Sequence, residues 1–181
     1  MRLAPVAMHY CHDLEQLIHY CGESSRSTHG AIECIDACRY FGSLLYAALR
    51  GDNKEQILTS TLFQPTTPKI QAIARGEYRD KQRQHINGTG YVVDALEAAL
   101  WCFDQADNFR EAILMAANLG DDADTTAAIC GQISGAYYQE SAIPKPWLEK
   151  VVEADLIRKM ATQLPTAAAS TGTGCCCTPN G

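Results

Sequence analysis

Residues 118–138, NLGDDADTTAAICGQISGAYY, concentrate the side chains of this chain best suited to chemistry. Asp121, Asp122 and Asp124 lie close together, Thr125 follows at once, and an apolar run of small residues comes next. Gly120 can close a preceding helix in the left-handed conformation, and Asp124 with Thr125 can cap the following one. The acids are therefore expected in a short loop between two helix ends. A helix N-terminus carries unpaired N–H groups and a positive partial charge, which keep nearby carboxylates ionised and aimed. Asp122 and Asp124 fall on one side of an extended turn, and the Thr125 hydroxyl adds a neutral oxygen. An all-oxygen set of this kind suits Mg2+ or Mn2+ better than zinc, which favours sulfur and nitrogen. The calcium loop of a helix-loop-helix hand fits poorly, because its turn glycine and closing glutamate are missing when counted from Asp122.

Capping alone is the competing reading, since acids at a helix start ordinarily bind nothing. Against it stands the helix that follows. Ala127, Ala128, Gly131, Ser134 and Gly135 form a surface for close approach while Ile129 and Ile133 pack elsewhere, the pattern of a buried helix. Carboxylates buried beside it without a counter-ion would be costly. Asp121 is expected to face solvent or to orient the loop.

The elements that position this loop read as helices throughout. Pro5 suits the first turn of a helix over 6–11, and Asp13 with Gln16 makes a capping box for a second one ending near Gly22. Residues 23–30 form a polar loop on which side chains can converge on a ligand. From 31 to 50, Ile35, Cys38, Phe41, Leu45 and Leu49 recur at helical steps, and Gly51 closes the helix. Asp52 with Glu55 caps a short helix carrying Ile57, Leu58 and Leu62, which Pro65 and Pro68 break, and 69–75 adds one or two turns. The charged segment 77–87 is an expected exposed excursion. Asn87, Gly88, Thr89 and Gly90 then turn into a helix over 91–103. A glycine-rich turn at a helix start can hold phosphate on its N–H groups, although most such turns only redirect the chain. Asn108 and Glu111 cap a helix over 109–119, and Pro144 with Pro146 starts a last one bearing Trp147, Leu148, Val151 and Val152. No convincing strand and no repeat period appear.

With 181 residues, 46% of them hydrophobic, the chain can bury the core of one domain. A net charge of −6 argues against a general nucleic-acid binder. His9, His12 and Asp13 interrupt the first apolar run, so neither a signal peptide nor a membrane span is evident and a cytoplasmic address is expected. The nine cysteines are odd in number. Cys11, Cys21, Cys34, Cys38, Cys102 and Cys130 stand singly on apolar faces, as reduced core residues do. Residues 166–181, with Cys175, Cys176 and Cys177, hold almost nothing large to bury and read as a disordered tail behind a domain over 1–165.

Four segments in order, MRLAPVA, SSRSTHGAIECIDACRYFGSLL, INGTGYVVDALEAALWCF and NLGDDADTTAAICGQISGAYY, resemble the C-terminal part of the ADP-ribosylglycohydrolase family from Met1 to about Ile157. The resemblance implies an all-α, orthogonal multi-helix bundle of that type, truncated at its N-terminus. It implies removal of ADP-ribose from modified protein side chains, above all the N-glycosidic bond to arginine. Asp122, Asp124 and Thr125 would hold Mg2+ or Mn2+ on one side of a two-metal site, Gly90 would lie beside the substrate cleft, and Tyr91 would contact the base or ribose. His29 would touch ribose or base, or else serve as a buried, hydrogen-bonded loop histidine. Arg26 could meet a substrate phosphate, or pair with Glu23 or Glu33. The family's second acidic cluster and its glycine-rich phosphate loop lie ahead of the MRLAPVA segment, and neither is in this sequence. The catalytic acid–base carboxylate is therefore expected on a complementary N-terminal fragment. The partners implied are an ADP-ribosylated protein or ADP-ribose itself, without nucleic acid or membrane. The other reading is a non-catalytic helical module for binding or assembly, derived from the same fold.

Overall fold

A side-chain cap or a first-turn proline marks the start of six of the described helices. Pro5 occupies the first turn of α1 (Ala4–His9), and the Asp13 carboxylate accepts the Gln16 N–H at 3.0 Å to start α2 (Leu14–Arg26). Because α2 runs to Arg26, the polar loop is shorter than its composition implied and only 27–31 separate it from α3 (Ile32–Leu49). Gly51, at φ +86°, ends α3, with the Gly51 N–H on the Ala48 carbonyl and the Asp52 N–H on that of Ala47. Asp52 is thus spent in closing α3. Asn53 with Gln56, one residue later than expected, makes the capping box of α4 (Lys54–Leu58).

Pro68 does not break a helix but opens α5 (Pro68–Ala74), because the strand-like residues before it are pinned elsewhere. The Asp36 carboxylate, only 2% exposed, accepts the Thr66 and Thr67 N–H groups at 2.9 and 2.7 Å and the Thr67 hydroxyl at 2.7 Å. Three charge-assisted bonds offset the cost of burying that carboxylate. Most of residues 77–87 are exposed, as their charges imply, but the segment is anchored: Tyr78 and Ile86 are buried, Arg79 bridges Glu55 at 2.6 Å and Asp104 at 3.2 Å, and Lys81 meets Glu97 at 2.6 Å. The charges that suggested an outward loop are the clamps that hold it down.

The structure is a computed structural model describing residues 1–169, all of them helix, turn or irregular chain. After α6 (Val92–Gln105) come α7 (Phe109–Ala117), α8 (Ala123–Tyr138), the single turn α9 (Lys145–Leu148) and α10 (Ala154–Ala169). The helix begun at Pro144 stops before Val151 and Val152, which are exposed, and α10 follows as a separate element against α1. It turns Leu156, Ile157 and Met160 outward. The tail cysteines Cys175, Cys176 and Cys177 lie outside the described residues.

The core is organised by α3, α6 and α8, which run in the same sense. At their starts the Tyr91 hydroxyl reaches Glu33, and the Asp122 N–H donates to the Gly88 carbonyl at 2.8 Å. At their ends Phe103 packs edge-on against Tyr137 at 5.6 Å, and Leu49 and Gly51 share a groove with Gly135 and Tyr137. The short α7 makes the return from α6 to α8. Burial of α8 is one-sided: Thr126, Ile129, Cys130, Ile133 and Ser134 face inward. Ala128 is exposed and a Cβ on Gly135 would touch nothing, so the small residues form no close-approach seam. Cys21, Cys102 and Cys130 are buried free thiols, and desolvation pushes the Cys130 thiol up to about 11, which keeps it protonated and inert. The side chain of Gln132 on α8 grips the start of the chain, accepting the Ala4 N–H and donating to the Met1 carbonyl, each at 2.6 Å.

Candidate functional site

The acidic turn is built from two consecutive positive-φ residues, Gly120 at +87° and Asp121 at +52°. Glycine takes this conformation freely, and aspartate is among the few side chains that tolerate it. The pair swings the chain out of α7 and into α8 with Asp121 exposed, as its place in the loop implied. The helix starts earlier than the Asp124–Thr125 signature indicated. Asp122 is the N-cap residue, without a side-chain cap bond, while Asp124 and Thr125 lie in the first turn. The Asp122 main chain is fixed on both sides, its N–H on the Gly88 carbonyl at 2.8 Å and its carbonyl accepting the Thr126 N–H at 3.1 Å. Its carboxylate is left to project from the turn.

Asp122 and Asp124 come together. The Asp122 side chain, hydrogen-bonded to Asp124, and then the backbone N–H groups of Thr125 and Asp124 hold the Asp124 carboxyl below the usual carboxylate range. Against them lies the 87–90 turn. A Cβ on Gly90 would stand 3.4 Å from Asp122 Oδ2, and one on Gly88 would stand 3.2 Å from Thr126 Oγ1 and 3.3 Å from the Gly120 carbonyl oxygen. Glycine at both positions lets the second loop lie directly on the acidic turn. Thr126 is fully buried there, and its hydroxyl has no hydrogen-bond partner among the described residues. The Thr89 hydroxyl bonds Asp94 at 2.8 Å and accepts the Tyr91 N–H at 3.2 Å, which fixes the entry to α6.

Of the substrate-side residues, Gly90 lies against the Asp122 carboxylate, and Tyr91 follows it at the N-cap of α6. Tyr91 is 37% exposed, and its hydroxyl is shared between Glu33 and Lys69. His29 is exposed, not a buried loop histidine, with its backbone tied to Ser25 at 2.7 Å. Arg26 pairs with Glu23 at 2.9 Å, the structural alternative of its two readings. Glu33 and Lys69 had no signal of their own, because they meet Tyr91 across separations of 58 and 22 residues. Two open grooves lie elsewhere, one lined by Arg83, Trp101, Arg110 and Leu114, the other at the far ends of α3 and α8. Neither includes the acidic turn.

The donor set fits a hard divalent ion in kind: two adjacent carboxylates and a hydroxyl, all oxygen, at a turn against which Gly90 lies. It fills half of an octahedron. Among the described residues no group of three or more His, Cys, Asp or Glu is placed to hold a metal, so the remaining ligands would be water, substrate or other chain.

Comparison with known proteins follows the same lines. A family model described as ADP-ribosylglycohydrolase matches residues 1–174. The ADP-ribosylarginine hydrolase Tri1 of Serratia proteamaculans is 41% identical over 164 residues, 91% of this chain and 44% of that protein. The protein of the same name from Pseudomonas putida is 42% identical with the same coverage of both chains, 91% and 44%. A solved ADP-ribosylglycohydrolase-related protein complex, 34% identical, superimposes with a TM-score of 0.85 over 93% of this chain and 59% of that one. The chain thus spans 44% of the length of the two curated relatives.

Proposed function

Because the chain belongs to the ADP-ribosylglycohydrolase family, we propose that it carries the metal-holding side of a site that removes ADP-ribose from modified protein side chains, arginine foremost. The observation that supports this best is the seating of the 87–90 turn on the acidic turn, which fixes the Asp122 main chain and sets Gly90 beside its carboxylate. The two relatives called ADP-ribosylarginine hydrolases favour arginine as the acceptor.

In this reading Asp122 and Asp124 offer anionic oxygens and Thr125 a neutral one to Mg2+ or Mn2+, an ion that when bound orients ribose hydroxyls and activates water. The chain's own residues do the rest of the positioning. Main-chain bonds on both sides of Asp122 hold its carboxylate at a fixed height above α8. Gly88 and Gly90 keep side chains out of the approach, Tyr91 borders it, and His29 contacts ribose or base from the α2–α3 loop. Three oxygens leave the coordination incomplete, so water, substrate or a complementary fragment would supply the remaining ligands, and the acid–base carboxylate would come from such a fragment. The setting is cytoplasmic, and no helix among the described residues is long and apolar enough to cross a membrane.

The test has two arms. Calorimetric titration with Mn2+ should show binding that Asp122→Asn weakens by at least about tenfold, the loss of one charged ligand. Joined with the complementary segment, the chain should release ADP-ribose from arginine-modified protein, and Asp122→Asn should not. Absence of Mn2+ uptake in the joined protein, or equal release by both forms, overturns the reading in favour of a non-catalytic helical module.

A further inference from the structure

Along α7 runs an open groove of about 670 Å3 that shares no residue with the acidic turn. Its walls are ordered by their position on the helix. Arg110 stands in the first turn of α7. Arg83, from the single 3-10 turn Arg83–His85, is fixed at the other end, its Nη2 donating to the Asn118 and Leu119 carbonyls at 2.9 and 3.1 Å. Between the two arginines the floor is apolar. Leu114 and Met115 are half-buried, and Trp101, only 7% exposed, uses its indole N–H on the Lys81 carbonyl at 3.0 Å, which leaves hydrocarbon to face the groove. Neither guanidinium has an ion-pair partner among the described residues, in a chain whose net charge is −6. The one acid in the wall, Glu111, is turned toward the start of α7, where its carboxylate accepts the Asp107 N–H at 2.9 Å.

We infer that this groove docks an extended segment of a partner protein in which two acidic residues, four apart, flank an apolar one. Spacing selects that pattern. From Arg110 to Asn118, whose carbonyl anchors Arg83, the helix advances about 12 Å at 1.5 Å per residue. On an extended chain residues i, i+2 and i+4 face the same way, and the outer two stand about 13 Å apart. Each carboxylate thus meets one guanidinium, whose planar fork matches it, while the middle side chain covers Leu114 and the Trp101 ring. The main chain of the segment finds partners as well. Asn108 accepts the Glu111 N–H on its Oδ1 at 2.9 Å and keeps its amide N–H groups to donate. Asn118 donates its side-chain amide to the Leu114 carbonyl at 2.8 Å and keeps its Oδ1 to accept. A nucleotide concentrates its charge at one place and matches this divided charge less well. The inference is independent of the proposed function, because it uses none of the residues assigned there.

The experiment titrates the whole chain with a terminally blocked pentapeptide, Glu-Ser-Leu-Ser-Glu, and follows the backbone amide resonances of Arg110, Leu114, Met115 and Asn118 and the indole N–H of Trp101. These resonances should shift together and saturate. A peptide with glutamine at both ends, and one with the same residues reordered so that the glutamates are adjacent, should each bind at least about fivefold more weakly. Arg110→Gln, a change at an exposed position outside the core, should weaken the first peptide about threefold to fivefold and leave the glutamine peptide unaffected. Retention of the remaining amide pattern shows that the variant is folded. Equal binding of the reordered peptide, an unchanged affinity in Arg110→Gln, or shifts confined to other regions overturns the inference. So do shifts of these resonances with ADP and not with the peptide, or on concentrating the chain alone, which would give the groove to a nucleotide or to a second copy of the chain.

Discussion

The two ends of the α3, α6 and α8 trio use the same helix electrostatics for opposite purposes. At the C-terminal end the Lys54 ammonium donates to the Ala106 carbonyl and lies 5.1 Å from the Phe103 ring centre and 5.6 Å from that of Tyr138. The Tyr138 hydroxyl also donates to Ala106, at 3.0 Å, and Phe103 is fully buried. A cation sits where carbonyls accumulate, and the polar groups around it are bonded. At the N-terminal end acids sit where N–H groups accumulate, which the dipoles also favour; the Asp122 and Asp124 side chains lie together, and the Thr126 hydroxyl is unpartnered among the described residues. One end is finished and the other is prepared. What separates them is the partnering of charge: the Lys54 cation has a carbonyl and two rings within the chain, whereas Asp122 and Asp124 have no ion-pair partner among the described residues.

Substitutions at each end can break or sharpen that contrast. Phe103→Ala should cost about 3–5 kcal/mol in urea unfolding, the price range of deleting a fully buried ring, with Mn2+ affinity of the folded protein unchanged. A parallel fall in metal binding would show that the ends are not separable. Gly88→Ala should cost about 1–3 kcal/mol, because its Cβ must push on Thr126 and the Gly120 carbonyl, and it should also weaken Mn2+ binding by lifting the 87–90 turn from Asp122. Unaltered metal affinity in this variant would mean that the turn packs without shaping the site. Lys54→Met should lose about 1 kcal/mol through the missing helix-end charge and cation–π contact, read from the urea midpoint. Thr126→Val, the smallest change, should gain up to about 1 kcal/mol, since an unpartnered buried hydroxyl is replaced by a methyl of the same shape. A loss there would reveal that the hydroxyl is bonded in solution.

Features that depend on a few consecutive residues were legible in the sequence: the Asp13 and Asn108 caps, the Gly51 closure, the long α3 and the all-helical class. The acidic turn and its neighbouring glycine turn were legible as residue types, though not their contact. Where the reading failed, tertiary partners had overridden local signals. Asp52 looked like a cap but its N–H closes α3. Asp124 with Thr125 looked like a cap, yet the bond from the Asp122 N–H to Gly88 sets the start of α8 two residues earlier. Segment 77–87 is largely exposed as its charges implied, but its anchoring was not legible, because the partners Glu55, Glu97 and Asp104 come from other helices. Glu33 and Lys69 carried no pattern at all, because only the packing of α3, α5 and α6 brings them to Tyr91.

The grip of Gln132 on Met1 and Ala4 has a practical corollary for anyone attaching a reporter to this protein. A dye or spin label coupled at Met1 would be tethered to α8 eight residues beyond Asp124, about 12 Å along the axis at 1.5 Å per residue. That is close enough for a paramagnetic ion bound at the turn to quench or broaden its signal, and the leash is short because the first residues are fastened down.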